Sequence, residues 1–133
     1  MGLFHNQDGD MTVPKILIIE DDRIIANLTE LRLNKIGYDV MGKIENPNLV
    51  IDYLSQNTPD LILMDIKLSD EIDGIALAGM IRKISKIPIV FLTALADDET
   101  IRKIKKISRH GYIRKPFNDD DLRAGIALAM PKK

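Results

Sequence analysis

The chain alternates short, fully apolar runs with stretches in which apolar residues recur every three or four positions. Lys15-Ile16-Leu17-Ile18-Ile19-Glu20 is a β-branched run too short for a helix, and it reads as a strand buried on both faces. From Asp22 the period changes: Ile24, Leu28 and Leu31 recur at helical spacing, and Gly37 closes the segment. Tyr38 to Lys43 is a weaker, partly polar run containing Gly42, as an edge strand would be. Asn46-Pro47 supplies a cap and a proline at the first helical position, opening a helix with Leu49, Val50, Tyr53 and Leu54. Leu61-Ile62-Leu63-Met64 is again a buried strand, ending in Asp65, and Ile75, Ala78, Ile81 and Ile84 mark a third helix. Ile89-Val90-Phe91-Leu92 ends in Thr93, and Ile101, Ile104 and Ile107 give a narrow stripe for a fourth helix. Gly111-Tyr112-Ile113 is a short fifth strand. Asn118, with Asp121 three residues on, starts a last helix carrying Leu122, Ile126 and Met130, which Pro131 stops.

Five strand–helix units with short connections predict an α/β fold in which a parallel sheet is covered by helices on both faces. Right-handed crossovers make it a doubly wound, flavodoxin-like (βα)5 sheet of strand order 2-1-3-4-5. The predicted domain runs over residues 14–130. Residues 1–13 read as a flexible leader or an added remnant, with Met11 as a natural start, and 131–133 as a tail. In such sheets ligands bind outside the carboxyl ends of the strands, so chemistry is sought there.

Composition narrows the classes. A length of 133 residues suits one domain, and the absence of Cys excludes disulfides, thiolate metal sites and cysteine nucleophiles. With 19 Lys+Arg against 20 Asp+Glu, the net charge of −1 and the scarce aromatics argue against nucleic acid or an anionic membrane as partner. No apolar run approaches the ~20 residues of a membrane span, and the start, MGLFHNQDGDMT, lacks the basic and apolar parts of a signal peptide. A cytoplasmic location is the expectation.

The strand ends carry the informative residues. Strand 1 ends in Glu20-Asp21, strand 3 in Asp65, strand 4 in Thr93, and strand 5 runs out into Lys115. With strands 1 and 3 adjacent, Glu20, Asp21 and Asp65 converge, and like charges that close need a cation between them. An all-oxygen cluster suits Mg²⁺, which takes one or two carboxylates and keeps waters. A carboxylate beside Mg²⁺ can act as a nucleophile toward phosphorus. Mg²⁺, the Thr93 hydroxyl and the Lys115 ammonium would then each take one phosphoryl oxygen, with Asp65 central.

The pieces KILIIEDD (15–22), PDLILMDIKLSDEIDG (59–74), PIVFLTA (88–94) and GYIRKPF (111–117), in this order and at these strand ends, resemble the receiver domain of two-component response regulators. The resemblance implies that Asp65 accepts a phosphoryl group from a histidine kinase or phosphotransfer protein. It implies Asp21 as a direct Mg²⁺ ligand, Glu20 acting through water, and the backbone carbonyl of Lys67 as a further ligand. Thr93 and Tyr112 take the switch positions, and Lys115–Pro116 takes that of a cis peptide. Phosphorylation is then expected to change the face formed by the fourth helix, fifth strand and fifth helix, where an output partner or a second copy binds. Such a domain is regulatory, catalysing only its own phosphorylation and dephosphorylation. The loop after Asp65 departs from the family pattern in lacking a proline and in its length before Asp73-Gly74. Lys67 and Leu95 stand where the family tunes self-dephosphorylation, and this pair is expected to slow it.

Plainer readings stand beside these. Asp22 reads as a helix cap rather than a ligand. The basic run Arg102, Lys103, Lys105, Lys106 and Arg109 reads as a solvated face, or as a docking surface for an acidic partner. His5 and His110 have no second ligand at metal spacing, and Met41, Met64, Met80 and Met130 read as core filler. An Mg²⁺-dependent phosphohydrolase would need a second aspartate two residues after its nucleophile, where this chain has Lys67. A flavin or nucleotide module would need a Gly- or Ser/Thr-rich loop after strand 1, where this chain has acids. A receiver that merely binds partners would not need the intact acid pair, Asp65, Thr93 and Lys115.

Overall fold

In the computed structural model, which describes residues 4–5, 11–68, 72–94 and 97–131, the apolar runs lie side by side as five parallel strands. They are β1 (Lys15–Ile19), β2 (Asp39–Ile44), β3 (Leu61–Asp65), β4 (Ile89–Thr93) and β5 (His110–Arg114), in the spatial order β2-β1-β3-β4-β5. The helices between them are α1 (Arg23–Lys35), α2 (Val50–Gln56), α3 (Gly74–Arg82), α4 (Asp98–Lys105) and α5 (Asp119–Ala129). Phe4–His5 and Met11–Thr12 form a separate antiparallel pair. The expected doubly wound order is the observed one.

The two-residue period of the strands divides the core into two layers. Ile16, Ile18, Leu61, Leu63, Val90, Leu92 and Ile113 pack with Ala26 and Leu33 of α1 and Leu122 and Ile126 of α5. Leu17, Ile19, Ile62, Met64, Ile89 and Phe91 pack with Val50, Leu77, Ala78, Ile81 and Ile104 of the other three helices. Both faces of β3 and β4 are covered, which is why these strands contain no polar residue before their last position. β2 is the edge strand, and its pairing with β1 shifts register between Ile16 and Leu17.

The helix starts follow their caps. Asp22 accepts hydrogen bonds from the Ile24 and Ile25 N–H groups at 2.9 and 3.1 Å, so its role is the cap of α1. Asp73 and Asp97 cap α3 and α4, and Asn118 and Asp121 form the reciprocal capping box of α5. Gly37, at φ 103°, takes the left-handed conformation that ends the α1 segment.

The predicted face of α1 is corrected by the structure. Ile24, Leu28 and Leu31 are 72%, 56% and 65% exposed, whereas Ala26, Thr29 and Leu33 are buried. Bulky strand residues fill much of the space under α1, so the small Ala26 and Thr29 face the sheet together with Leu33. Proline 47 opens a 3-10 turn (Pro47–Leu49) ahead of α2, leaving Leu49 exposed. Ile84 lies past the end of α3 and is exposed, as is Met80, which is not core filler. Among the described residues no helix is long and apolar enough to cross a membrane.

Candidate functional site

The carboxyl ends of β1, β3 and β4 and the segment after β5 enclose an open cleft of about 310 Å³. Its lining includes Glu20, Asp21, Asp65, Lys67, Thr93 and Lys115, so every residue singled out from the sequence for the phosphoryl site meets here. Tyr112 does not: it stands on β5 opposite Phe91 of β4 and is 41% exposed. Leu95 and residues 69–71 of the loop after Asp65 lie outside the described residues.

Asp65 closes the central strand and is 9% exposed. Its Oδ2 accepts a hydrogen bond from the Lys115 ammonium at 2.6 Å, and its Oδ1 accepts from the Lys67 N–H at 3.1 Å. Lys115 reaches this point because its own N–H donates to the Thr93 carbonyl at 2.8 Å, tying the start of the segment after β5 to the end of β4. The Lys115–Pro116 peptide is cis, as the resemblance implied. Thr93 is buried, and its register partner on β5 is Arg114.

Sequence reasoning did not foresee how α3 bears on the site. The Gly74 N–H donates to the Ile66 carbonyl at 2.5 Å, and a Cβ at Gly74 would collide with the Asp65 carbonyl oxygen. Glycine lets the start of α3 rest on the peptide that carries Asp65. The Asp73-Gly74 pair was visible as a feature of the chain, but its contact with Asp65 was not.

The acids are in electrostatic conflict. Burial, a hydrogen bond with the Asp21 carboxyl and the nearby charge of Asp65 push the Glu20 carboxyl up to about 8, against the Asp22 N–H, which favours the charged form. A cation between these carboxylates would relieve the repulsion. The donors are hard oxygens, which fits Mg²⁺ rather than a softer metal. Among the described residues no three His, Asp or Glu side chains are gathered so as to hold a metal ion by themselves.

A family model for the response regulator receiver domain matches residues 16–127. Transcriptional regulatory protein KdpE of Staphylococcus aureus is 38% identical over 114 residues, 86% of this chain and 48% of the relative. Transcriptional regulatory protein PdtaR of Mycobacterium tuberculosis is 32% identical over 127 residues, 94% and 61% of the two chains. This chain therefore spans about half to three-fifths of the length of these curated relatives. Among solved structures, the signal receiver domain of a modulated diguanylate cyclase from Desulfovibrio desulfuricans G20 aligns with a TM-score of 0.76 at 32% identity, covering 87% of this chain and 92% of that one. The chemotaxis response regulator CheY4 of Vibrio cholerae shares the fold at a TM-score of 0.77 and 21% identity, covering 90% and 100%. Receiver domains generally bind Mg²⁺ at their phosphorylation site. The chain belongs to the response regulator receiver family, whose general function is that of a phosphoacceptor switch in two-component signalling.

Proposed function

We propose that Asp65 is the phosphoacceptor of this chain and takes its phosphoryl group from a phosphohistidine of a sensor kinase or a phosphotransfer protein. The observation that carries this is the placement of a largely buried carboxylate at the end of the central strand, in contact with the Lys115 ammonium and facing a cleft walled by Glu20, Asp21 and Thr93. An Asp65 oxygen attacks phosphorus, an O–P bond forms and the donor's N–P bond breaks. The electron pair stays on the imidazole nitrogen, which takes up a proton. The Lys67 N–H orients the carboxylate, and Lys115 and Thr93 meet the phosphoryl oxygens as charge gathers on them. Glu20, Asp21, Asp65 and the Lys67 carbonyl would hold Mg²⁺, which when bound neutralises charge on the transferring oxygens. The chain acts on itself alone, promoting its own phosphorylation and the later hydrolysis of the acyl phosphate.

Two surfaces follow from this reading. Ile25 lines the cleft, and on the same helix Ile24, Leu28 and Leu31 face solvent, a seam on which an apolar helix of the donor protein can pack. On the other side, drawing the Thr93 hydroxyl toward the phosphoryl group leaves space for Tyr112 to turn inward, which alters the α4-β5-α5 face read by an output partner or a second copy. Residues 14–130 are the switching unit. Asp65→Asn should abolish incorporation of acid-labile phosphate from acetyl phosphate and Mg²⁺, followed by intact-mass spectrometry, and chelating Mg²⁺ should do the same to the parent chain. Labelling that persists in Asp65→Asn would overturn the assignment.

A further inference from the structure

We propose that Arg32, on the third turn of α1, is a positioning residue for phosphoryl transfer, holding the segment from Lys115 to Asn118 so that the Lys115 ammonium meets Asp65. The inference rests on the reading of Asp65 and Lys115 given above. A lysine side chain is long and carries about 2 kcal/mol of rotamer entropy, so its aim depends on how firmly its backbone is held.

That backbone is hydrogen-bonded at both ends, and between them the Phe117 ring packs against the core. Lys115 is bonded to Thr93 on β4, and Asn118 is locked into the capping box of α5. Between them Pro116 has no N–H to donate. Arg32 adds to that packing a polar tie on the backbone, made by one planar group. Its Nη2 donates to the Phe117 carbonyl at 3.0 Å, its Nε donates to Asp119 Oδ1 at 3.1 Å, and its guanidinium lies 4.5 Å from the centroid of the Phe117 ring. Lys35, one turn further along α1, meets the other oxygen of Asp119 at 3.2 Å. The Arg32 and Asp119 side chains are each about one-third exposed, so their pairing is partly shielded from water, unlike that of a fully solvated pair.

The same side chain shares a groove with the cation it serves: Ile25, Thr29, Arg32, Leu92, Lys115 and Phe117 are among the residues lining it. α1 starts directly after Glu20 and Asp21, so one rigid helix references both the acid pair and the lysine. Small misplacements of a reacting group can cost on the order of 100-fold in rate, which is how a contact away from the chemistry acquires kinetic weight.

The test measures initial rates of phosphorylation by acetyl phosphate at saturating Mg²⁺ for the full chain and for Arg32→Ala, Arg32→Gln, Arg32→Lys, Lys115→Ala and the Arg32→Ala/Lys115→Ala double variant. Arg32→Ala and Arg32→Gln should each slow labelling about tenfold or more. Arg32→Lys should fall between them and the parent, because an ammonium cannot engage ring, carbonyl and carboxylate together. In the Lys115→Ala background the Arg32 change should have no further effect, which a merely structural role would not produce. Equal slowing in both backgrounds, or a lowered Tm with an unchanged rate well below it, overturns the proposal. Arg32→Gln keeps most of the side-chain volume and serves if Arg32→Ala fails to fold. Labelling of Asp65→Asn would fail the underlying site assignment. A silent Asp65→Asn with unaffected Arg32 variants would fail this inference alone.

Discussion

α1 and α4 flank the site end of the sheet from opposite faces and are held in opposite ways. α1 buries Ala26, Thr29 and Leu33, and its polar residues reach three neighbouring parts of the chain. Arg23 pairs with Glu45 past the end of β2, Glu30 and Asn27 meet Lys43 of β2, and Arg32 and Lys35 meet Asp119 of α5. In α4, among the described residues, Ile104 alone is fully buried, and the Lys103–Glu99 ion pair lies within the helix itself. The exposed surface of α4 is charged, acidic at Asp98 and Glu99 in its first turn and basic at Arg102, Lys103 and Lys105 in its last. A helix anchored across elements is costly to displace, whereas one resting on a single large side chain is cheap to shift. The contrast suits a switch in which α1 holds the chemistry and the α4 side moves.

The largest effect that can break this comparison lies within α1. Leu33→Ala should cost about 2–5 kcal/mol in urea unfolding, the usual penalty for a cavity at a fully buried leucine. Leu28→Ala, on the exposed face, should stay within about 0.5 kcal/mol while weakening transfer from a phosphohistidine donor more than from acetyl phosphate. If both cost the same, the seam is covered and α1 is not the two-faced helix described here.

The two N-caps give a smaller effect. Asp22→Ala should lower global stability by about 1 kcal/mol, because α1 belongs to the cooperative core. Asp97→Ala removes the equivalent bond to the Thr100 N–H. It should leave the urea midpoint nearly unchanged and instead speed amide hydrogen exchange within α4. A global loss from Asp97→Ala would show that α4 is as firmly coupled as α1.

The strands and the site were legible in the sequence for the same reason. A fully apolar run flanked by polar residues has one reading in a doubly wound sheet. Its last residue then falls at the ligand end, which brought Glu20, Asp65, Thr93 and Lys115 to one cleft. The face of α1 was not legible because the helix carries two apolar stripes, and the bulkier one, Ile24, Leu28 and Leu31, is the one in solvent. Which stripe turns inward depends on the room left by Ile16, Ile18, Leu61 and Leu63 beneath it, a tertiary quantity. Arg32 was missed because its partners lie 85 and 87 residues away and no local spacing announces them. Tyr112 was marked by resemblance rather than periodicity, and the structure places it at the surface outside the cleft.

The smallest effect separates the two helices by acid titration. Asp119 and Asp97 are both held below the ordinary aspartate value, but by different means. Hydrogen bonds from Arg32 and Lys35 of α1 lower Asp119, whereas the Thr100 N–H within α4 is the main cause for Asp97, with Lys103 and Arg102 adding less. Because each folded value lies below the unfolded one, the stabilisation is present above the ordinary aspartate range and is lost as pH falls through the folded values. Carboxyl-carbon NMR should therefore show Asp119 moving up toward its ordinary value in Arg32→Ala, with Asp97 unmoved. Added salt should move Asp119 more than Asp97, since an ion pair is screened and a cap bond to an adjacent N–H is screened less. An Asp119 that titrates unchanged without Arg32 would mean that α1 does not brace the start of α5, and the difference between an anchored α1 and a loosely held α4 would lose its main support.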